Sequence, residues 1–477
     1  MIANTFAFFL ALFSSLCAAV PSLEVQGSDF VNPKDGTRFQ IVGVAYQPGG
    51  SSDYNPGNDP LSNGTTCLRD AALMQRLGVN AIRVYNLDPT INHDLCASIF
   101  NAVGIYLLLD VNSPLQGESI NRAAPWESYN AVYVNRIFEV VEAFKGYPNT
   151  LLFFAGNEVI NEQSDSSVPS YMRAVTRDLK NYIAKHSNRT IPVGYSAADV
   201  RPLLLDTWNY LQCSLTGDAT DPSRVDVFAL NSYSWCGDSS FQTSGYDVLV
   251  SDFANTSVPV FFSEYGCIQP YPRVFTEVPA LYGPLVTPVL SGGIVYEYTQ
   301  EVSNYGLVTL NDDGSAYLVG DFDTFQKQLN TLSITTLQDT TAQNTTVVPP
   351  TCNDSLITTT GTFSKNFTIP AVPSEVQDLL DNGISNPNNG KLVALTVLDV
   401  TQTVKSSSGV SITGLKITPL ADDESNTPSG QTQPSPSATS SAPAAATTTK
   451  KSGAAGLVRN WAGLMAAVAG VMGWLVC

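Results

Sequence analysis

The sequence predicts an α/β fold, a (β/α)8 TIM barrel in which eight parallel strands alternate with helices. Eight short runs between Leu23 and Asn330 are nearly continuous in Val, Ile, Leu and Phe, as strands buried on both faces should be. Between them lie stretches with apolar residues at helical spacing, such as Asn135–Phe144 and Tyr171–His186. The predicted strands are Ile41–Tyr46, Val79–Tyr85, Ile105–Val111, Leu151–Ala155, Ile191–Tyr195, Val227–Asn231, Val258–Glu264 and Gly292–Tyr298.

The main alternative is an open, doubly wound parallel sheet. Such sheets often bind nucleotides through a G-x-G-x-x-G turn or a G-x-x-x-x-G-K-[ST] loop, and the sequence contains neither motif. Eight strand–helix repeats over roughly 300 residues also suit the number of strands and the length of a closed barrel. The barrel is therefore assigned to residues 20–330.

Residues 1–19 have the composition of a secretory signal peptide. An apolar run, Phe6–Cys17, is followed by Ala18 and Ala19, which are small residues of the kind found at cleavage sites. The positive charge before this run is weak, since only the α-amino group supplies it. We expect cleavage after Ala19 and secretion of the remaining chain.

The composition of the chain changes after the barrel. Residues 331–420 are expected to form a small C-terminal module, with a helix at Ser374–Leu380 and strands at Leu392–Val400 and Val410–Ile417. Residues 421–452 consist mainly of Ser, Thr, Pro and Ala, a composition that cannot bury a core. This last segment is predicted to form a disordered, O-glycosylated stalk.

Residues 453–477 have the order of a glycosylphosphatidylinositol (GPI) attachment signal. Small residues from Ser452 to Ala455 are followed by a short spacer and by an uncharged apolar tail, Trp461–Cys477. A transmembrane anchor is the alternative, but the tail lies at the lower length limit for spanning a bilayer. We expect attachment at Ser452 and a protein held on the extracellular face of the plasma membrane, with retention in the cell wall left open.

The charge balance excludes several classes of function. Lys+Arg 24 against Asp+Glu 42 gives a net charge of −18, whereas a nucleic-acid-binding protein needs a basic face. The two histidines, His93 and His186, are expected at the surface near helix ends, and two are too few for a three-histidine metal site. No stretch has the ligand spacing of a calcium loop. We therefore expect no metal, no cofactor and no nucleic-acid partner.

The cysteines and the glycosylation sequons indicate an extracellular protein. Without Cys17 and Cys477, which lie in the predicted end segments, six cysteines remain, and they suggest three disulfides among fifteen possible pairings. Glycans would also supply the solubility that 14% charged residues do not. The N-x-Ser/Thr sequons are at Asn63, Asn188, Asn255, Asn344, Asn353 and Asn366.

Two glutamates lie at the predicted C-terminal ends of strands, where barrel enzymes build their active sites. Glu158 follows the fourth predicted strand, directly after Asn157, and Glu264 ends the seventh. A carboxylate at the end of an apolar strand is costly unless it has a partner or a chemical role. Structural ion pairs are the alternative, but two such residues at one rim favour glycosidic-bond chemistry, which uses two carboxylates. The Asn157 amide could then bind a sugar 2-hydroxyl.

Five segments carry a resemblance to a known family: VAYQPGG (44–50), NAIRVYN (80–86), GNEVI (156–160), FSEYGC (262–267) and GIVYEY (293–298). They resemble the fungal cell-wall 1,3-β-glucanosyltransferases of the Gas, Gel and Phr type, glycoside hydrolase family 72. The resemblance covers residues 23–330 and extends to the stalk and anchor. The chain is similar to the shorter subgroup, because only Cys352 remains after the barrel and the cysteine-rich box of longer members is missing.

The resemblance implies a role for each site residue. Glu158 would be the proton donor and general acid/base, and Glu264 the nucleophile. The spacing around Arg201 varies within the family, and Arg201 could instead be a solvated residue at a helix start. The implied substrate-binding residues are Tyr85, Asn157, Glu158, Asp199, Arg201, Tyr296, Gln47 and Tyr233. The implied disulfides are Cys67–Cys96, Cys213–Cys352 and Cys236–Cys267.

The implied activity is that of a retaining 1,3-β-glucanosyltransferase. It would cleave internal β-1,3-glucan bonds and transfer the new reducing end to the non-reducing end of another glucan. Glucan would thus be both donor and acceptor. The enzyme is expected to be a monomer. Aromatic platforms near Tyr233, Trp235 and Tyr296 favour a sugar acceptor, although these tyrosines could be ordinary rim aromatics. Glu297 and Glu301 are expected only to tune the field of the site. A plain hydrolase and an inactive wall-binding module are the rival hypotheses.

Overall fold

Three short antiparallel strands precede the barrel in the computed structural model, which describes residues 20–50, 54–162, 167–338, 347–359 and 363–428. These strands, β1 (Glu24–Gln26), β2 (Asp29–Val31) and β3 (Arg38–Phe39), lie against one end of the barrel. Their aromatic side chains pack on residues inside it, with ring centroids 6.1 Å apart for Phe30 and Phe261 and 5.0 Å apart for Phe39 and Tyr106. This sheet closes the N-terminal end of the barrel, so the C-terminal ends of the strands form the open rim.

Eight parallel strands close the barrel in chain order, and each predicted run overlaps one of them. The predicted fold class is therefore confirmed. The strands are buried almost throughout, which explains why their sequences are continuously apolar rather than alternating. They are β4 (Ile41–Ala45), β5 (Ala81–Val84), β6 (Tyr106–Asp110), β7 (Thr150–Asn157), β8 (Val193–Ala198), β9 (Val227–Asn231), β10 (Val260–Tyr265) and β11 (Leu290–Val295).

Helices cover the outside of the barrel, and two of them, α1 and α4, begin at an asparagine cap. Asn63 and Asn130 each accept hydrogen bonds from two amides in the first turn of the helix that follows. The predicted helical stretches lie within α4 and α5. The barrel helices are α1 (Gly64–Leu77), α2 (Asp94–Ala102), α3 (Pro125–Ser128), α4 (Ala131–Phe144), α5 (Val168–His186), α6 (Arg201–Gln212), α7 (Tyr246–Asp252), α8 (Glu277–Leu281), α9 (Gly320–Leu329) and α10 (Ile334–Leu337).

The described residues after the barrel pack on its outer surface. Two strands after β11 pair with two from this segment in one four-stranded sheet, so the predicted module shares a sheet with the barrel domain. A 3-10 turn at Ser374–Val376 leads into α11 (Gln377–Asn382), in agreement with the predicted helix. The four strands are β12 (Val308–Leu310), β13 (Ala316–Leu318), β14 (Val404–Lys405) and β15 (Ser411–Ile412).

The prediction of a strand at Leu392–Val400 is wrong, and the one predicted at Val410–Ile417 is reduced to β15. The backbone amides of Lys391 and Val393 donate instead to side chains of α2, at distances of 2.9 Å to Asp94 and 2.8 Å to Ser98. The apolar side chains of this segment pack against the core, and its pairing is limited to one antiparallel bridge between Asp399 and Lys416.

The beginning of the predicted stalk also lies on the barrel. The Asn426 amide donates to the carbonyl of Gly104, and its side chain donates to the carbonyl of Val79. Asn426 thus ties this part of the predicted stalk to backbone carbonyls of the barrel, a contact that the composition of the segment does not signal. The rest of the predicted stalk, the predicted signal peptide at residues 1–19, residues 453–477, Ser452 and Asn344 lie outside the described residues. No helix in the described ranges is both long enough and apolar enough to span a bilayer.

Three disulfides link the described cysteines, in the pairs that the resemblance implies: Cys67–Cys96, Cys213–Cys352 and Cys236–Cys267. The second joins the end of α6 to the segment beyond the barrel across 139 residues of sequence. The other two stay within the barrel domain. The five sequon asparagines that the structure describes, Asn63, Asn188, Asn255, Asn353 and Asn366, are all exposed.

Candidate active site

The two glutamates singled out in the sequence lie at the open rim. β7 ends at Asn157 and is followed directly by Glu158, while Glu264 lies near the end of β10. A cavity of about 380 Å³ opens beside Glu264 and Asn157, the residue before Glu158. Five of the predicted site residues line this cavity: Gln47, Tyr85, Asn157, Glu264 and Tyr296.

Glu264 is held by three donors inside the rim. The Tyr233 hydroxyl donates to Oε2 at 2.6 Å, and the Tyr85 hydroxyl donates to Oε1 at 3.0 Å. The Arg83 guanidinium lies 3.4 Å from Oε1. Burial raises the pKa of Glu264 above its usual value, and Arg83 and the two hydroxyls oppose that rise because they stabilise the anion. The carboxylate is therefore oriented by its partners and poorly hydrated, since only 8% of the residue is exposed.

Glu158 has an unusual backbone conformation. Its φ of 50° lies in the left-handed region, which costs a residue with a Cβ about 1–3 kcal/mol unless the surroundings enforce it. Its amide donates to the carbonyl of Ser196 at 2.8 Å, which ties it to β8. Its side-chain Oε1 accepts a hydrogen bond from Asn231 Nδ2 at 2.8 Å. Backbone and side chain are thus both fixed by neighbouring strands.

Arg83, which the sequence analysis did not single out, is completely buried in the barrel. Its Nη2 lies 3.0 Å from Asp110 Oδ2 and 3.0 Å from Asn157 Oδ1. Because a guanidinium only donates, the Asn157 atom that faces it is the oxygen, and the Asn157 NH2 group remains as a donor for a ligand. An arginine inside the apolar run NAIRVYN is the signal that could have revealed it, since a buried cation needs several partners.

Asn231, which the sequence analysis also did not single out, contacts Glu158 directly and is linked to Glu264 through Arg83. Its Oδ1 accepts from Arg83 Nη1 at 3.3 Å and from the Ser263 hydroxyl at 2.8 Å, while Nδ2 donates to Asn157 and Glu158. It ends β9, so the rule that directed attention to strand ends applies to it as well. Because asparagine is uncharged, its burial at a strand end costs less than that of a carboxylate and is a weaker signal of function.

Asp199 and Arg201 form an ion pair where β8 leads into α6, and neither lines the cavity. Arg201 is the first residue of α6 and its side chain is 39% exposed, as a helix-start residue would be. Asp199 also accepts a hydrogen bond from the Ser232 hydroxyl at 2.6 Å, which links the pair to the loop that carries Tyr233.

The rim tyrosines form one cluster. Tyr296 makes edge contacts with Tyr85 and Tyr233, with ring centroids 6.5 Å and 6.3 Å apart. Trp235 does not extend this surface, because it is buried against Tyr246 and its indole nitrogen donates to the Thr276 hydroxyl. The expectation of a platform at Trp235 is therefore wrong, while Tyr233 and Tyr296 lie at the site.

Glu297 and Glu301 add two carboxyl groups to the cavity wall. Burial raises the pKa of Glu297 to about 8, and the neighbouring Glu301 carboxylate adds to the rise. At neutral pH the cavity therefore carries less negative charge than its number of carboxyl groups suggests.

The expectation that His93 lies at the surface is wrong. It precedes α2 as expected, but it is only 2% exposed, its Nε2 lies 2.7 Å from Asp59 Oδ2, and its ring packs on Phe144. His186 ends α5 and is half-buried, with its Nε2 3.0 Å from the carbonyl of Leu380. Neither histidine lies at the rim cavity. Within the described ranges, no group of three or more His, Cys, Asp or Glu side chains is arranged to hold a metal ion.

Comparison with known proteins places the chain in a family. A family model described as glucanosyltransferase, glycoside hydrolase family 72, matches residues 12–333. The chain is 55% identical over 426 residues to the 1,3-β-glucanosyltransferase gel2 of Aspergillus fumigatus, covering 88% of this chain and 89% of that protein. It is 46% identical to the probable 1,3-β-glucanosyltransferase GAS3 of Saccharomyces cerevisiae, covering 80% and 76%.

Solved structures agree with the sequence comparison. A Saccharomyces cerevisiae Gas2p mutant in complex with laminaritetraose and laminaripentaose is similar with a TM-score of 0.65 and 35% identity. The similarity covers 74% of this chain and 75% of that one. Sequence and fold thus agree, and the chain belongs to the glucanosyltransferase family, glycoside hydrolase family 72.

Proposed function

We propose that this protein is a retaining 1,3-β-glucanosyltransferase in which Glu264 is the nucleophile and Glu158 the general acid/base. The observation that carries the assignment is the hydrogen-bonded network at the rim. It presents one buried carboxylate held by Arg83, Tyr85 and Tyr233, and a second carboxylate held by Asn231. Two carboxyl groups in such different surroundings suit two different roles.

In the first step, Glu264 attacks C1 of an internal glucose unit of β-1,3-glucan. The C1–O3 bond breaks, and Glu158 gives its proton to the departing oxygen, so that the reducing-end fragment leaves as an alcohol. Arg83 and the two tyrosine hydroxyls orient Glu264 for this attack. The Asn157 NH2 group can bind the 2-hydroxyl of the reacting sugar, a contact that strengthens in the transition state.

In the second step, Glu158 is a carboxylate and removes the proton of the 3-hydroxyl at the non-reducing end of another glucan. That oxygen attacks C1, the ester to Glu264 breaks, and a new β-1,3 bond forms. The ester to Glu264 conserves the free energy of the cleaved β-1,3 bond. The new bond therefore forms without an activated donor such as a nucleotide sugar. Gln47, Tyr296 and the Asp199–Arg201 pair are proposed to bind neighbouring glucose units.

The transfer reaction is tested by mass spectrometry of products from a reduced β-1,3-gluco-oligosaccharide of one defined length, using secreted protein without residues 453–477. We expect products longer than the substrate. Only shorter products would identify a hydrolase that uses the same residues. Binding of glucan without any product would identify an inactive wall-binding module.

Replacing Tyr233 with Phe should move the acidic limb of the pH profile to higher pH. Glu264 must be ionised to attack, its pKa is already raised by burial, and the Tyr233 hydroxyl opposes that rise. Loss of this hydrogen bond raises the pKa of Glu264 further, because the ionised carboxylate loses one of its donors. The measurement is kcat/KM against pH for both proteins. An acidic limb that stays in place or moves to lower pH would contradict the assignment of Glu264.

We propose further that the enzyme is a GPI-anchored monomer on the outer face of the plasma membrane. The small-residue cluster and the apolar tail in residues 452–477, the three disulfides and the exposed sequons support this location. Treatment of intact cells with a phosphatidylinositol-specific phospholipase should release the protein. Retention after treatment, together with extraction only by wall-degrading enzymes, would place it in the wall instead.

A further inference from the structure

Arg122 contacts the main chain of the proposed acid/base residue. Its Nη2 donates to the carbonyl oxygen of Glu158 at 3.1 Å, and its Nη1 donates to Asn161 Oδ1 at 2.5 Å. The planar fork of the guanidinium therefore spans the turn that follows β7. Arg122 also lines the rim cavity, so it reaches this turn from the cavity side.

The turn that Arg122 spans holds Glu158 in its left-handed conformation. Glu158 has a φ of 50°, its amide is bound to Ser196, and the amide of Ile160 donates to the Tyr195 hydroxyl at 2.9 Å. These two contacts fix the amides of the turn from the β8 side. The Glu158 carbonyl is held from the opposite loop by Arg122, and a conformation that an isolated chain disfavours persists only when several contacts enforce it.

The loop that supplies Arg122 is itself anchored. Asn112 at its start donates to the carbonyl of Ala155 at 2.9 Å. Glu118 in its middle forms an ion pair with Arg136 of α4 at 2.6 Å. Arg122 therefore extends from a braced loop, which allows it to act as a fixed point for the turn.

We propose that Arg122 is a positioning residue that sets the direction of the Glu158 side chain by holding the Glu158 carbonyl and Asn161. The inference rests on the proposed role of Glu158 as general acid/base. The consequence is specific: without Arg122 the protein still binds glucan and still has its nucleophile, but the proton of Glu158 no longer reaches the departing oxygen in the right geometry.

This consequence depends on the leaving group. An oxygen of a glucan chain departs only if it receives a proton, whereas the fluoride of a β-laminarioligosaccharyl fluoride departs as an anion. In that reaction Glu264 attacks C1, the C–F bond breaks, and its electron pair leaves with fluoride, so no acid is needed. Comparing the two donors therefore isolates the acid function from binding and from the nucleophile.

The experiment measures kcat/KM for a β-1,3-gluco-oligosaccharide and the rate of the first fluoride burst from the fluoride donor, in wild type, Arg122→Met, Glu158→Gln and Arg76→Met. The burst amplitude counts the folded, competent sites in each preparation. We expect Arg122→Met to lose about 100-fold with the oligosaccharide, a loss typical of misplaced catalytic groups. Its fluoride burst per active site should stay within about threefold of wild type, because the first step with fluoride needs no acid.

Glu158→Gln should show the same split between donors. Arg76, a half-buried arginine of α1 outside the cavity, is the matched control, and its replacement should change neither rate. If Arg122→Met lowers the rate equally with both donors, Arg122 is a substrate-binding residue and the proposal is overturned. The proposal is also overturned if Arg122→Met lowers the rate with neither donor. If Glu158→Gln itself shows no split, the acid/base assignment fails. If Glu158→Gln shows the split and Arg122→Met does not, only the role of Arg122 fails.

Discussion

Glu264→Gln should abolish transfer while leaving the fold intact. Glutamine has the shape of glutamate and can still accept from the Tyr85 hydroxyl, but its amide cannot form the ester on which a retaining mechanism depends. We expect kcat to fall by about four orders of magnitude or more, in line with the removal of other catalytic nucleophiles. The measurement is the initial rate of product formation from a defined oligosaccharide, with the melting temperature recorded for both proteins.

The matched control for this variant is Glu277→Gln. Glu277 is also a buried glutamate, whose pKa burial raises to about 7, but it lies at the start of α8 and does not line the cavity. Its replacement should leave the transfer rate within about twofold of wild type, as expected for a residue remote from the reacting atoms. Near-normal turnover of Glu264→Gln, or an equal loss in both variants, would remove Glu264 from the mechanism.

Arg83→Met should cause the largest loss of stability at the site. Arg83 has no exposed surface and lies within hydrogen-bonding reach of Asp110, Asn157, Asn231 and Glu264. Its removal leaves the buried carboxylates of Asp110 and Glu264 without their cation, a change that costs about 3–5 kcal/mol in the free energy of unfolding. The loss of that charge also raises the pKa of Glu264, so activity near neutral pH should fall with stability.

Denaturant unfolding of Arg83→Met and Arg76→Met separates this effect from the loss of any arginine. Arg76 has one buried nitrogen without a hydrogen-bond partner, so methionine there should cost less than about 1 kcal/mol. An unfolding midpoint for Arg83→Met equal to that of Arg76→Met would show that the buried network contributes nothing to the fold.

The positions of the barrel strands and of both glutamates could be predicted because they depend on local signals. A strand buried on both faces must be apolar along its whole length, and Glu158 and Glu264 stand out where such runs end. The loop contacts at the site leave no such pattern. Arg122 reaches Glu158 O from a loop 36 residues earlier in the chain, and nothing in the residues around either position signals that contact.

The errors after the barrel have a different physical cause. Residues 392–400 have the composition of a strand, but the amides at the start of the segment bond to Asp94 and Ser98 of α2, and only its end pairs, through a single bridge between Asp399 and Lys416. Composition indicates that a segment will be buried, and it does not indicate what will satisfy its backbone. The burial of His93 could not be predicted either, because the carboxylate that pairs with its ring, Asp59, lies in a separate loop.

The central claim is that transfer proceeds through a covalent intermediate on Glu264. It is tested most directly with a β-laminaribiosyl fluoride that carries a second fluorine at C2. The fluorine at C2 slows both chemical steps, whereas the fluoride leaving group at C1 speeds the first step. The covalent intermediate therefore accumulates. Peptide mass spectrometry of the treated enzyme should find the disaccharide on Glu264 and nothing on the Glu264→Gln variant. An adduct on any other side chain, or fluoride release from an active enzyme that never becomes labelled, would contradict the account.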